Sequence, residues 1–177
     1  MFRRTRRAAP TLPFVLVAVS RPRRLAGFSY IGRHRYFLTF CVVDRQRLFV
    51  GDELVLAFVA LFRRTATQLG FAILAYCVMP DHVHLLVEGT SDTSDLRRFV
   101  KRVKQGTGQL YVRRNGGSLW QEGYYERVLR TEDDARELAR YIVANPVRAG
   151  LVKSPADYPY LGSDLWSLNE LIESIAM

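Results

Sequence analysis

The sequence predicts an α+β fold, because segments with strand character and segments with helical periodicity alternate in the order β-α-β-β-α-β-α. Aromatic and β-branched residues dominate the predicted strands, and apolar residues recur every three or four positions in the helices between them. The predicted strands are 36–43, 71–79, 82–88 and 124–130. The first six elements form a split β-α-β, ferredoxin-like sandwich, and the seventh is an appended C-terminal helix.

The first predicted helix spans 53–69, where Asp52 is expected to cap the N-terminus and Gly70 to end the helix. Pro80 and Asp81 then form a tight turn between the second and third strands. Because so short a connection joins antiparallel neighbours, these two strands are expected to pair as a hairpin.

The second helix is expected to begin after Ser94 or Asp92 and to end at Asn115, before two glycines. Its outer face carries seven cations and no acid, which favours a polyanionic partner over an ordinary solvated surface of mixed sign. These cations are Arg97, Arg98, Lys101, Arg102, Lys104, Arg113 and Arg114.

The last predicted helix begins at Thr131, which is spaced from Asp134 as in a capping box. It is expected to end at Asn145, because Pro146 disfavours helical backbone in the residue before it.

The chain has 177 residues, of which 49% are hydrophobic, so it is long enough for one domain with a real core. Its net charge of +9 is uneven, since residues 1–26 hold seven arginines and no acid. Residues 1–26 are expected to form a disordered basic leader rather than an export signal, and their apolar run is too short to span a membrane. The domain is predicted over 27–162, followed by a tail at 163–177 with a short helix. Cys41 and Cys77 are expected to be buried thiols.

His82 and His84 stand two residues apart on the third predicted strand. Side chains alternate along a strand, so both imidazoles point to one face while Val83 and Leu85 point to the other. The two histidines are either polar residues on a solvent-exposed sheet face or half of a metal site. The apolar residues around them favour burial, and buried imidazoles need partners.

Two residue pairs could complete such a site. Tyr141 and Asn145 are spaced i, i+4 and share one helix face, and Tyr111 and Asn115 have the same spacing. Spacing alone leaves both pairs open, as well as the alternative that Tyr141 belongs to an ordinary buried stripe.

The chain resembles the IS200-type single-tyrosine transposases, which carry a His-hydrophobe-His motif, in the stretch 76–87, YCVMPDHVHLLV. Two further stretches are similar to the branch called REP-associated tyrosine transposases, namely 120–127, WQEGYYER, and 141–152, YIVANPVRAGLV. The resemblance covers residues 28–162.

The resemblance implies that Tyr141 is the nucleophile of a catalytic helix and that Asn145 joins His82 and His84 in holding Mg²⁺ or Mn²⁺. It implies cleavage and rejoining of single-stranded DNA through a 5′-phosphotyrosine, at hairpin-forming repeats, by a cytoplasmic, nucleoid-associated monomer or homodimer. The seven cations of the second helix would then contact DNA phosphates. Two alternatives remain: an inactive or host-domesticated DNA-binding protein of the same fold, and a replication-initiator or relaxase-type nuclease.

Overall fold

The computed structural model describes residues 25–176, so the predicted leader lies outside the described residues up to position 24. Four strands and three helices follow one another in the order that the sequence predicts, and a short fifth strand and a fourth helix come after them. Their bounds are β1 Arg35–Cys41, α1 Asp52–Gln68, β2 Phe71–Met79, β3 His82–Gly89, α2 Leu96–Asn115, β4 Tyr125–Leu129, α3 Glu132–Arg148, β5 Leu161–Gly162 and α4 Leu168–Ala176.

The strands form one antiparallel sheet in the order β4-β1-β3-β2-β5. The predicted ferredoxin-like arrangement is therefore confirmed, and β5 extends the sheet at the β2 edge. The predicted hairpin between β2 and β3 is also confirmed, with its turn at Pro80 and Asp81. Strand β3 lies at the centre, where Thr39 of β1 and Cys77 of β2 flank His84.

The sheet carries a separate apolar core on each face, because alternate residues of every strand point to opposite sides. Helices α1 and α2 cover one face, where they pack against Val83, Leu85 and Val87 of β3. Helices α3 and α4 cover the other face, where Leu86 of β3 is buried. The two histidines are on the α3 side by the same alternation.

The predicted cap of α2 is wrong, because Asp95 rather than Ser94 or Asp92 occupies the N-cap and accepts hydrogen bonds from the next backbone amides. Ser94 is fully buried, and its hydroxyl donates to the carbonyl of Gly70. Asp92 pairs with Arg33 at the surface. Helix α1 likewise begins with Asp52 itself after a Gly51 N-cap, so the predicted Asp52 cap is wrong.

The Thr131 cap of α3 is confirmed, since its hydroxyl accepts from the amide of Asp134. The predicted stop at Asn145 is wrong, because the helix continues through Pro146 to Arg148. A proline lacks one amide hydrogen, and so close to a helix end this removes a single bond. The chain leaves the helix at Gly150, which has a φ of 68°.

Both cysteines are free and buried, as expected. No helix among residues 25–176 is both long and apolar enough to cross a membrane. The predicted division of the chain at residues 26 and 162 stays a prediction, although α4 packs on α3 through the fully buried Leu171.

Candidate active site

His82 and His84 lie side by side on the α3 face of the sheet, and both side chains are buried, with exposures of 7% and 4%. Their rings meet edge to face with centroids 4.6 Å apart. The two Nε2 atoms are 3.0 Å apart, so the nitrogens that a ligand would use converge on one point.

An acidic neighbour orients the His82 ring. The Nδ1 atom of His82 donates to a carboxylate oxygen of Asp81 at 2.6 Å, so Nε2 is the ring nitrogen that is left to meet a ligand. The other carboxylate oxygen of Asp81 pairs with Arg45 at 3.0 Å. Partial burial acts to raise the pKa of Asp81, but the hydrogen bond with His82 and the charge of Arg45 outweigh it, so that pKa is lowered.

Arg45 reaches Asp81 from a strained turn. Strand β1 ends at Cys41, two residues before its predicted end, and a 3₁₀ turn follows at Val43–Arg45. Asp44 and Arg45 have φ values of 51° and 56°, a left-handed conformation that costs about 1–3 kcal/mol for residues other than glycine. Arg45 also donates to the Cys41 sulfur at 2.9 Å. The turn thus holds the guanidinium against the end of the hairpin.

Hydroxyl and aromatic neighbours hold the His84 ring. Its Nδ1 lies 2.9 Å from the Thr39 hydroxyl, and the ring stacks on Phe37 with centroids 5.4 Å apart. Burial lowers the pKa of His84 well below its ordinary value, and electrostatic interactions with His82 and Arg45 lower that pKa further. His84 is therefore neutral at physiological pH, the form in which an imidazole binds metals.

These two imidazoles fit a divalent cation. Adjacent ligands of an octahedral ion with bonds of about 2.1 Å are about 3.0 Å apart, which matches the spacing of the two Nε2 atoms. The Thr39 hydroxyl can accept the Nδ1 proton of His84, which frees its Nε2 for a ligand bond. No group of three or more His, Cys, Asp or Glu side chains with metal-binding geometry occurs in the described part of the chain.

Tyr141 of α3 lies over the histidines. Its ring centroid is 5.5 Å from that of His84 and 6.0 Å from that of Phe37, in edge-to-face arrangements. The phenol is half-buried, and burial raises its pKa, while Arg148 and a hydrogen bond with Asn145 act in the opposite direction. The structure therefore brings together His82, His84 and Tyr141.

Asn145 stands one turn after Tyr141 and is partly buried. Its amide nitrogen donates to the Tyr141 carbonyl at 2.9 Å, so it is tied to the tyrosine rather than serving only as a helix stop. An amide oxygen on this helix face is a suitable third ligand for a hard cation. Its role as a ligand stays a prediction.

The competing pair lies elsewhere. Tyr111 packs against the core beneath α1 and α2, on the face of the sheet opposite the histidines. Asn115 is exposed at the last position of α2, where its amide donates to the Tyr111 carbonyl at 3.4 Å. Identical spacing thus leads to different surroundings.

The cationic helix α2 also lies on the face away from the histidines. Six of its seven predicted DNA-binding residues are exposed, and Lys104 is the exception. The Lys104 ammonium donates to the carbonyls of Gln121, at 2.8 Å, and Gly123, and burial lowers its pKa. Lys104 therefore ties α2 to the loop before β4, and its contact with DNA stays a prediction.

Sequence reasoning assigned no role to several neighbours of the site. The sequence could have pointed to Asp81 as a neighbour of the site, because it directly precedes His82. It could also have pointed to Arg148, which follows Tyr141 by seven residues, or two helical turns. No sequence pattern points to Arg45 or Thr39, because they reach the site only through strand pairing and the 3₁₀ turn.

Comparison with known proteins supplies the family. A family profile described as "Transposase IS200 like" matches residues 31–145. The chain is similar to the ISDra2 transposase TnpA of Deinococcus radiodurans, with 31% identity over 125 residues, which cover 66% of this chain and 86% of that protein. It is also similar to the REP-associated tyrosine transposase of Escherichia coli (strain K12), with 36% identity over 93 residues, but this match spans only 53% of that relative and 51% of this chain.

Among solved structures, the fold is similar to that of a REP-associated tyrosine transposase that is bound to a REP hairpin. The TM-score is 0.65 with 24% sequence identity, and the match covers 76% of this chain and 79% of the other. At this identity the likeness shows the fold.

Proposed function

The chain belongs to the IS200-like transposase family, and on this premise we propose that it cleaves and rejoins single-stranded DNA through a phosphotyrosine formed on Tyr141. The observation that carries the proposal is the contact between the Tyr141 ring and His84, with centroids 5.5 Å apart. A nucleophile beside two convergent imidazoles is an arrangement that suits metal-assisted phosphoryl transfer.

In the cleavage step, the Tyr141 oxygen attacks the phosphorus of a DNA phosphodiester. A bond forms between the phenol oxygen and phosphorus, and the bond from phosphorus to the 3′ oxygen breaks. The phenol proton is lost to solvent and the 3′ oxygen gains one, so the products are a 5′-phosphotyrosine and a free 3′-hydroxyl. The step conserves one phosphodiester bond, so a second 3′-hydroxyl can reverse it on another strand without nucleotide hydrolysis.

His82, His84 and Asn145 would hold Mg²⁺ or Mn²⁺. The bound cation would withdraw charge from the phosphate oxygens during attack. The protein's own contribution is orientation: Asp81 and Thr39 hold the two imidazoles, and α3 holds the phenol above them.

We propose hairpin DNA as the substrate, because a REP hairpin is bound in the structurally similar transposase. The exposed cations of α2 support this substrate, since phosphate contacts supply most of the affinity for DNA. They lie across the sheet from Tyr141, so a hairpin stem held on α2 would need its unpaired flank to pass around a sheet edge to the phenol.

The test is incubation with Mn²⁺ and a library of hairpin oligonucleotides with randomised unpaired flanks, followed by denaturing electrophoresis. The wild-type protein is expected to form a covalent DNA adduct, Tyr141→Phe to form none, and Tyr111→Phe to behave as the wild type. An adduct that persists in Tyr141→Phe contradicts the assigned nucleophile. Hairpin binding without any adduct identifies an inactive DNA-binding protein of this fold.

A further inference from the structure

The continuation of α3 past Pro146 carries a consequence for the site. Because the helix reaches Arg148, three polar residues follow one another at positions i, i+4 and i+7. These positions share one helix face. They are Tyr141, Asn145 and Arg148.

Arg148 contacts the tyrosine directly. Its guanidinium carbon lies over the Tyr141 ring, 5.2 Å from the centroid, within the range of a cation–π contact. Arg148 is itself exposed, and the structure records no carboxylate partner for it among the side chains that it describes. Its charge therefore faces the phenol side of α3 and stays available to an anion.

We propose that Arg148 is a catalytic residue that binds the non-bridging oxygens of the phosphate attacked by Tyr141. This inference rests on the proposed function. The guanidinium of Arg148 on α3 and the imidazole of His84 on β3 both contact the Tyr141 ring. A phosphate at the phenol oxygen would thus lie beside His84 and within the reach of the positively charged guanidinium.

Charge explains why an arginine helps there. The phosphate carries one negative charge as a diester and again as phosphotyrosine, but more negative charge collects on its oxygens during attack. A fixed cation therefore stabilises the transition state more than either end state, which is what accelerates a reaction. A guanidinium suits this task because its planar fork can donate two hydrogen bonds to one phosphate.

A purely structural role makes a different prediction. If Arg148 only held the Tyr141 ring in place, its loss would slow reaction with every substrate alike. It would also act regardless of the charge on the phosphate. The two roles therefore separate when the phosphate charge is removed.

The experiment compares wild type, Arg148→Ala and Arg148→Lys, with Arg136→Ala as the matched control at an exposed arginine of the same helix. Single-turnover rates of adduct formation are measured at saturating hairpin DNA and Mn²⁺. One substrate has an ordinary phosphodiester at the cleavage position, and the other has an uncharged methylphosphonate there. Hairpin affinity and the thermal midpoint are measured alongside.

On the ordinary substrate, Arg148→Ala is expected to react about 100-fold more slowly, with partial recovery in Arg148→Lys and on addition of free guanidinium. Affinity, the thermal midpoint and the Arg136→Ala rate are expected to stay unchanged. On the methylphosphonate, the deficit of Arg148→Ala should shrink to a few-fold. If wild type forms adducts on Tyr141 but the rate deficit of Arg148→Ala is equal on both substrates, or absent on both, the inference is overturned. If the wild-type protein forms no adduct, the proposed function is overturned instead.

Discussion

The Asp81 carboxylate is expected to tune the metal affinity of His82, and Asp81→Asn tests this. The carboxylate accepts from His82 Nδ1 at 2.6 Å, so asparagine would replace a charge-assisted hydrogen bond with a neutral one. Loss of such an outer partner weakens metal binding about 10- to 100-fold, or about 1.4–2.7 kcal/mol. The expected change is therefore a 10- to 100-fold rise in the Mn²⁺ dissociation constant.

The fold itself should change little. The ion pair of Asp81 with Arg45 is about a quarter exposed on each side, and partly solvated pairs of this kind contribute at most about 1 kcal/mol. Saturating Mn²⁺ should therefore restore most of the rate of adduct formation, because the proposed nucleophile on α3 is unchanged.

Titration calorimetry with Mn²⁺ measures the dissociation constant, and the Mn²⁺ dependence of adduct formation gives a second value. Asp92→Asn is the matched control, since it removes a carboxylate from the surface pair with Arg33. If Asp81→Asn binds Mn²⁺ as tightly as Asp92→Asn and wild type do, the assigned role of Asp81 is refuted.

Two further predictions concern charge and burial. Lys101→Ala is expected to weaken hairpin binding and to lower the slope of its salt dependence by about one, because it removes one exposed cation that we expect to contact a phosphate. Lys104→Ala should leave that slope unchanged and lower the thermal midpoint, because Lys104 is bound to backbone carbonyls. The buried Tyr36 hydroxyl has no hydrogen-bond partner among the described residues, so Tyr36→Phe is expected to raise the free energy of unfolding by about 1 kcal/mol. Tyr158→Phe should lower that free energy by about as much, because it removes a hydrogen bond to a β2 carbonyl. Burial raises the pKa of Tyr36, so its phenol ionises first in the unfolded chain and the free energy of unfolding falls as the pH rises above about 10. The stability of Tyr36→Phe should fall less between pH 8 and pH 11, and urea unfolding at these two pH values measures the difference. Equal slopes of the salt dependence for the two lysine variants would contradict the first prediction. A lower free energy of unfolding in Tyr36→Phe would contradict the second.

The strands and the hairpin could be predicted because their signals are local. Strand β2 has the predicted bounds, and β3 begins at the predicted His82. Alternation along one strand then suffices to place His82 and His84 on a common face.

Helix ends were harder to predict because capping is a competition. Ser94 has a good capping side chain, but its hydroxyl is used by the carbonyl of Gly70, which arrives from the loop after α1. Pro146 is a strong local stop signal, yet the packed helix continues through it to Arg148. The Ser94 outcome depends on a contact between distant parts of the chain, whereas Pro146 is tolerated because it lies close to the end of the helix.

The sequence by itself determined that two imidazoles share a sheet face and that two helices each present a tyrosine and an asparagine one turn apart. Only the tertiary structure decided that Tyr141 lies beside His84 while the half-buried Tyr111 packs on the opposite face of the sheet. The physical reason is that helical spacing is the same in α2 and α3, whereas the face that a helix covers depends on how its connection crosses the sheet. The continuation of α3 past Pro146 also decided that Arg148 meets the tyrosine ring.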